Sequence, residues 1–191
     1  MSPGPFPFGF RWEYAGGLVT DLLEIRRLGE MKRAENLHFR RFLASHHVPS
    51  SPLRILASRI QDQTDCTTCA NCCRYSTVPV TAAEIAAIAA RLGVTAEQAE
   101  QRYTEPDPES HNGRLLRSTP GGCVFLKGNL CSIYEVRPGV CRGFPHILPD
   151  DHSLGSRLSS LCRWAALCPI IYNALEDYKH VVGYHPRAAQ H

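Results

Sequence analysis

Apolar residues recur at helical spacing near the start of the chain. Leu18, Leu22, Ile25, Leu28, Leu37 and Phe42 stand among many charges, which predicts one long or two shorter amphipathic helices over residues 18–45. Arg26, Arg27, Glu30, Lys32, Arg33 and Glu35 are expected on a solvated face. Pro49 and Pro52 interrupt the pattern, because proline lacks a backbone donor and clashes with the preceding turn. A short helix is expected from about Leu53 to Gln61. Residues 1–16, rich in Pro, Gly and aromatics, read as an arm, loose or draped over a surface.

Further on, Val78-Pro79-Val80 is too short and proline-broken for a firm strand. Thr81 with Glu84 forms a capping-box pattern, and AAEIAAIAARLG runs apolar to Gly93, a natural helix stop. Thr95 with Gln98 repeats the device for a helix ending near Tyr103. Residues 104–122 are polar, with several prolines and glycines, and are expected to be loop. Cys123 to Tyr134 holds two β-prone runs around Lys127-Gly128-Asn129, the pattern of a small hairpin. Residues 156–180 read as helical, with Pro169 starting a new helix or kinking one. The expected fold is mainly α with a small β-hairpin, an irregular metal-centred helical domain. Residues 1–60 form an arm and amphipathic segment, and residues 61–185 a cysteine-cluster domain.

Composition narrows the field. At 191 residues the chain has room for one real core, or one plus an appended segment. Hydrophobic residues make up 43% and charged ones 20%, ordinary for a soluble globular protein. A formal net charge of +3 is too small to indicate nucleic acid. No apolar run approaches the roughly 20 residues of a membrane span. The opening MSPGPFPFGF lacks the charged and apolar regions of a secretory signal, so a cytoplasmic location is expected. There thiols stay reduced, and clustered cysteines more often bind metal than form disulfides.

The chemistry lies in nine cysteines, an odd count that argues against a fully paired disulfide set. Residues 66–73 read CTTCANCC, placing Cys66, Cys69, Cys72 and Cys73 in eight positions. Thiolates so crowded repel one another unless a soft cation sits among them. C-x-x-C is the usual zinc bite, and C-x-x-C-x-x-C with a remote Cys-Pro is how bacterial ferredoxins ligate iron–sulfur clusters. Here Cys66, Cys69 and Cys72 supply the triple, and Cys168-Pro169 is a remote Cys-Pro. Cys123 and Cys131 stand at the two ends of the expected hairpin, and Cys141 lies in a proline-braced loop. Cys162 and Cys168 are six apart, which does not place them on one helix face. Either Pro169 breaks the helix or only one of them is a ligand; the other is then a buried small hydrophobe.

Several other side chains are candidates near these thiols. Arg137 and Arg142 bracket the Cys141 loop, and a guanidinium there can offset thiolate charge. The plainer expectation for either is a fork pairing with Glu135 or Asp150. His146 and His152 follow closely and can add nitrogen ligands or a proton-transfer group. His111 lies in the polar loop, and His38, His46 and His47 lie in the amphipathic segment, where a surface role is expected. Tyr134 and Phe144 are expected to shield the site from water.

CTTCANCCR followed by GGCVFLKGNLCSIYEVRPGVCRGFP resembles the YkgJ-type cysteine-cluster family, described as zinc- or iron-chelating. The family pattern is C-x-x-C-x-x-C-C, then C-x-F-L, C-x-I-Y-x-x-R-P and C-R-x-F-P. This chain carries each part, at Cys66 to Cys73, Cys123 with Phe125-Leu126, Cys131 with Ile133-Tyr134, Arg137-Pro138, and Cys141-Arg142 with Phe144-Pro145. The likeness covers roughly residues 64–170. It implies metal held by cysteine, and a link to flagellin lysine N-methylases that also contain the domain. No G-x-G-x-x-G marks a Rossmann-type cofactor unit. Iron or an iron–sulfur cluster in a redox or modifying role is the favoured expectation, acting with an unidentified protein partner or protein substrate. A zinc-stapled binding module and a methylase-related enzyme are the alternatives.

Overall fold

The computed structural model describes residues 17–46, 48–147 and 154–186. The expected arm over residues 1–16 lies outside them, as do His47, Asp150 and His152. The amphipathic segment forms two helices, α1 (Leu22–Met31) and α2 (Arg33–His46). Asp21 starts the first by accepting the Glu24 N–H at 2.8 Å, which satisfies one donor that the helix leaves open. Helix α3 (Ser51–Asp62) follows, with Pro52 in its first turn, where the missing donor costs nothing.

These helices pack against the far end of the chain. Helices α9 (Leu154–Trp164) and α10 (Pro169–Val181) meet them in one apolar core. Phe39, Leu53, Leu56 and Ile60 contact Leu158, Leu161, Ile171, Leu175 and Tyr178 there. The segments before and after residue 60 therefore share a core. Gly29 lets α1 lie against the corner after α9, where a Cβ would come 2.4 Å from the Ala166 Cα.

Not all the charges of the first segment are solvated. Lys179, 3% exposed, donates from Nζ to Glu35 and Glu176 at 2.6 Å each, and Lys32 also bonds Glu176. The local pattern of α2 cannot show this, because the partners of Glu35 and Lys32 stand some 140 residues away on α10.

A second core lies between these ends. Helices α6 (Ala82–Leu92) and α7 (Ala96–Tyr103) carry both expected capping boxes, and Gly93 ends α6 at φ 68°. Residues 104–122, expected to be loop, hold strands instead. Strands β1 (Pro79–Val80), β2 (Thr104–Pro106) and β3 (Arg114–Leu116) form an antiparallel sheet in the order β1-β3-β2. Pro79 sits on an edge strand, where its missing N–H is tolerated. Strands of two or three residues are too short for an alternating pattern to register. Val78, Val80, Ile85, Ile88, Leu116, Phe125 and Ile133 fill the core beneath.

The expected single hairpin is two ribbons. Strand β4 (Ser118–Thr119) pairs with β5 (Gly122–Cys123), and β6 (Leu126–Lys127) with β7 (Leu130–Cys131). Cys123 thus faces Ser118, and Cys131 faces Leu126; they are not the two ends of one hairpin. A 3-10 turn (Tyr134–Val136) leads to the short helix α8 (Gly139–Gly143). The fold is mainly α with small antiparallel β elements, and no helix among the described residues is long and apolar enough to cross a membrane.

Candidate metal centre

The octet folds as two short helices, α4 (Cys66–Cys69) and α5 (Asn71–Tyr75). Asp65 begins α4 by accepting the Thr67 N–H at 2.8 Å. Ala70 separates the two with a left-handed φ of 49°, so the cysteines do not run along one straight helix. A non-glycine residue in that region is strained, and Ala70 is held there by its N–H to the Cys66 carbonyl at 3.0 Å.

Three other segments are fastened to the octet, and a fourth, α8, to α6. Gly122 lies against the Cys73 backbone, where an added Cβ would stand 2.7 Å from both the Cys73 carbonyl oxygen and the Arg74 Cα. Its φ of 113° also disfavours any side chain. Arg74 donates to the Cys69 carbonyl at 3.2 Å, the Gly128 carbonyl at 3.2 Å and Asn129 Oδ1 at 2.6 Å. Asn129 donates in turn to the Thr68 carbonyl at 2.8 Å, which ties the β6–β7 turn to α4. Helix α8 is anchored through the Gly139 N–H, which donates to Glu84 Oε1 at 2.8 Å and holds that carboxyl below its ordinary range. The corner before α10 is fixed by Asn71, whose Nδ2 donates to the Leu167 carbonyl at 2.7 Å.

Gly122→Ala is therefore expected to push the Cys123 ribbon off the octet. The backbone atoms that it meets cannot swing aside, so the cost should be about 1–3 kcal/mol. Thermal denaturation checks the loss of stability, and metal content checks the displacement. An unchanged midpoint with full metal content would contradict the close approach.

All nine cysteines are free thiols, Cys66 exposed, Cys168 buried and the rest between. Eight are electrostatic neighbours. Cys66 feels Cys69 and Cys73, and Cys72 feels Cys73, Cys168 and Cys66. Cys123 and Cys131 each feel Cys73, and Cys141 feels Cys73, Cys123 and Cys131. Burial, with this mutual repulsion added, pushes Cys141 and Cys168 up to about 12. Within the adjacent pair, Cys72 donates a hydrogen bond to Cys73, so Cys72 is held up as a thiol and Cys73 drawn down toward thiolate.

Arg137 is the shared countercharge. It draws down Cys66, Cys73, Cys131 and Cys141, while its guanidinium lies over the Tyr134 ring at 3.7 Å. Arg142 faces elsewhere, donating to the Arg137 carbonyl at 2.5 Å and lying near Glu84. Glu135 pairs with Arg91 at 3.8 Å.

Cys162 stands apart from the octet. It packs on the helical core, its Sγ donating to the Asn36 carbonyl at 3.7 Å, and burial pushes it up to about 11. Pro169 does break the helix, and the break turns only Cys168 toward the octet. His146 has Gly143, Phe144 and Arg157 for neighbours, and burial pushes its pKa down. Phe144 meets Trp164 edge-on at 5.2 Å and joins the helical core. Tyr134 is exposed. His46 stacks on Phe42 at 4.1 Å, and His111 is exposed.

Asn71, Arg74, Glu84 and Asn129 position the thiols and are silent in the sequence. Asn71 and Arg74 could have been suspected from lying inside or beside the octet; Glu84 reads there as a capping residue alone. Among the described residues, no group of three or more Cys, His, Asp or Glu side chains is placed to hold a metal ion. By type the donors suit a thiophilic metal, because thiols are soft and select zinc or iron over calcium and magnesium.

A family model, CxxCxxCC, described as "Putative zinc- or iron-chelating domain", matches residues 65–163. Uncharacterized protein MJ0661 of Methanocaldococcus jannaschii is 35% identical over 85 residues. That match spans 42% of this chain and 43% of the relative's length. No solved structure matches. The family match takes in the octet, both ribbons and the Cys141 helix, just over half of the chain, and the chain belongs to this CxxCxxCC zinc- or iron-chelating family.

Proposed function

We propose that the chain is an iron protein, its metal held by Cys66, Cys69, Cys72, Cys73, Cys123, Cys131, Cys141 and Cys168, serving redox chemistry toward a protein partner. The observation that supports this reading is the way the segments carrying Cys123, Cys131 and Cys168 are fastened to the four-cysteine octet, by the Gly122 contact, the Arg74–Asn129 bonds and the Asn71–Leu167 bond. Both halves of the molecule have apolar cores of their own. A zinc staple that replaces a missing core explains such an architecture less well than a metal kept for its chemistry. Bound iron would supply one-electron exchange at thiolate-ligated centres.

The protein's own residues supply the setting. Arg137 offsets thiolate charge, Arg74 and Asn129 hold a ribbon turn to the octet, and Glu84 seats α8. Tyr75, Leu130, Tyr134 and Val140 are exposed apolar side chains, each one to three residues from a ligand cysteine. Their place beside the centre supports a protein partner there.

Purification without oxygen, followed by elemental analysis and a visible spectrum, tests the proposal. Iron with broad absorbance near ~400 nm is expected, from thiolate-to-iron charge transfer. A colourless protein carrying stoichiometric zinc would overturn it.

A further inference from the structure

A strip of surface runs from α1 across α5 to the turn between β6 and β7, each part in contact with the next. Arg26 of α1 donates from Nη2 to the Tyr75 hydroxyl at 2.6 Å, and its guanidinium carbon lies 5.5 Å from the centre of that ring. Arg74, the preceding residue of α5, donates to the Gly128 carbonyl at 3.2 Å and to Asn129 Oδ1 at 2.6 Å. Lys127 and Leu130 are partners across the ribbon, so their side chains leave it on one face. At the other end of the strip Leu23 stands three residues before Arg26 on α1, which makes the two helix neighbours.

The strip joins exposed apolar surface to charge of one sign. Leu23 is 78% exposed, Leu130 61% and Tyr75 51%. One exposed leucine is ordinary; here two of them and a tyrosine lie along a single line of cations. Among the described residues, no carboxylate pairs with Arg26, Arg74 or Lys127, and both arginines bond only neutral oxygens. Carboxylates on the same elements are engaged elsewhere. Glu24 pairs with Arg27 at 2.6 Å and Glu30 with Arg33 at 3.7 Å, while Asp65 accepts from Thr67. Arg26 spends one of its five N–H donors on Tyr75, which leaves donors for an incoming anion. Phosphate would answer the cations as well as carboxylate does. A nucleic-acid backbone, however, brings no aliphatic group for Leu23 and Leu130 to cover, whereas a protein segment brings both kinds of side chain.

We infer that this strip docks an acidic segment of a partner protein, its carboxylates facing Arg26, Arg74 and Lys127 and its aliphatic side chains covering Leu23, Tyr75 and Leu130. The inference rests on the proposed function only for the expectation of a protein partner, and it gives that partner its chemistry; the metal and its redox role do not enter. Opposite charge steers the segment to the strip, and the apolar contacts lengthen its stay. Arg74 acts by its charge alone, since its N–H groups already hold the Cys69 carbonyl and the ribbon turn. Those same bonds set the docked segment directly beside the octet.

Fluorescence anisotropy of a labelled peptide of alternating glutamate and leucine, titrated with the anaerobically purified full chain, tests this. Saturable binding is expected, weakening about tenfold as salt rises from roughly 50 to 300 mM. Arg26→Glu should weaken it about tenfold and Leu130→Ser about fivefold. Arg102→Glu, an equal change of charge at an exposed position of α7 outside the strip, should leave it unchanged. A twin peptide with glutamine for glutamate should bind about tenfold more weakly. Circular dichroism checks that each variant folds, and all three positions lie on the surface. Absence of saturable binding overturns the inference, as does equal binding of the glutamine twin, or an Arg26→Glu protein that binds as well as Arg102→Glu. A single-stranded oligonucleotide of the same charge that binds more tightly than the acidic peptide also overturns it, in favour of nucleic acid. Metal analysis of the same samples keeps the two readings apart. A zinc-loaded protein that binds the peptide ends the iron proposal alone, and an iron-loaded protein that does not bind it ends this inference alone.

Discussion

Stripping the metal under reducing conditions should release residues 64–75 and loosen residues 118–124, 127–132 and 137–143, while Phe125 and Ile133 stay in the second apolar core and the helices of both cores stay folded. Those segments consist of helices of four or five residues and strands of two. A helix so short does not survive its own nucleation cost, and an isolated two-stranded ribbon is marginal at best. Structural metal binding in small domains contributes on the order of 10 kcal/mol, far more than Arg74, Asn129 and Glu84 can replace at about 1–2 kcal/mol each. Amide hydrogen exchange, compared before and after chelation, should show these segments speeding up by about a thousandfold or more, equivalent to ~4 kcal/mol. Helices α3, α6 and α10 should keep their protection, since Leu56, Ile88 and Leu175 are buried among apolar side chains that hold without metal. Unchanged exchange over 64–75 would mean that metal does not hold the octet. Collapse of α3 and α10 as well would mean that the two cores are not independent.

Lys179→Ala should be among the most damaging single substitutions remote from the cysteines. Its ammonium is 3% exposed and lies 2.6 Å from Glu35 and 2.6 Å from Glu176. Removing it leaves two half-buried carboxylates, with only the partly exposed Lys32 to serve both. Breaking a buried pair by deleting one partner costs about 3–5 kcal/mol, because the remaining charge loses its compensation. For a chain of this length that corresponds to a fall of roughly 10 °C in the melting midpoint. Lys179→Met should lose somewhat less, since it restores the packing though not the charge. Thermal denaturation of the metal-loaded protein measures both. A loss below about 1 kcal/mol would show that water or Lys32 already screens the carboxylates. Metal content should stay unchanged in either variant, which separates the helical layer from the cysteine region.

Particular elements show how far local pattern reached. Both capping boxes formed as expected, because Thr81 with Glu84 and Thr95 with Gln98 are decided within four residues. The break between α1 and α2, the start of α10 at Pro169 and the stop at Gly93 are equally local. The three-stranded sheet was not legible, since β2 and β3 together hold six residues amid prolines and charges. The hairpin expectation failed at Cys123 for a related reason. Two ribbons and one hairpin share the same turn residues, and only pairing partners tell them apart. Glu35 and Lys32 looked like surface charges because their partners, Lys179 and Glu176, are far off in sequence.

The sequence by itself determined the chemistry. Nine thiols, the octet spacing and the cysteine-anchored motifs are properties of residue type and order, and they mark a soft-metal chelator of this family before any fold is known. It also marked most of the longer helices, since hydrophobic period and caps act over a few residues, but not the short ones of the octet or α8. Only the tertiary structure decided which thiols are neighbours. Cys168 joins the octet through Asn71 and a packed helix corner, Cys162 is drawn off into the helical core, and Cys73 is backed onto the ribbons by the absence of a side chain at Gly122. Those outcomes depend on contacts between residues about 50 to 130 positions apart. Such contacts arise from packing the whole chain, so no local spacing of cysteines encodes them.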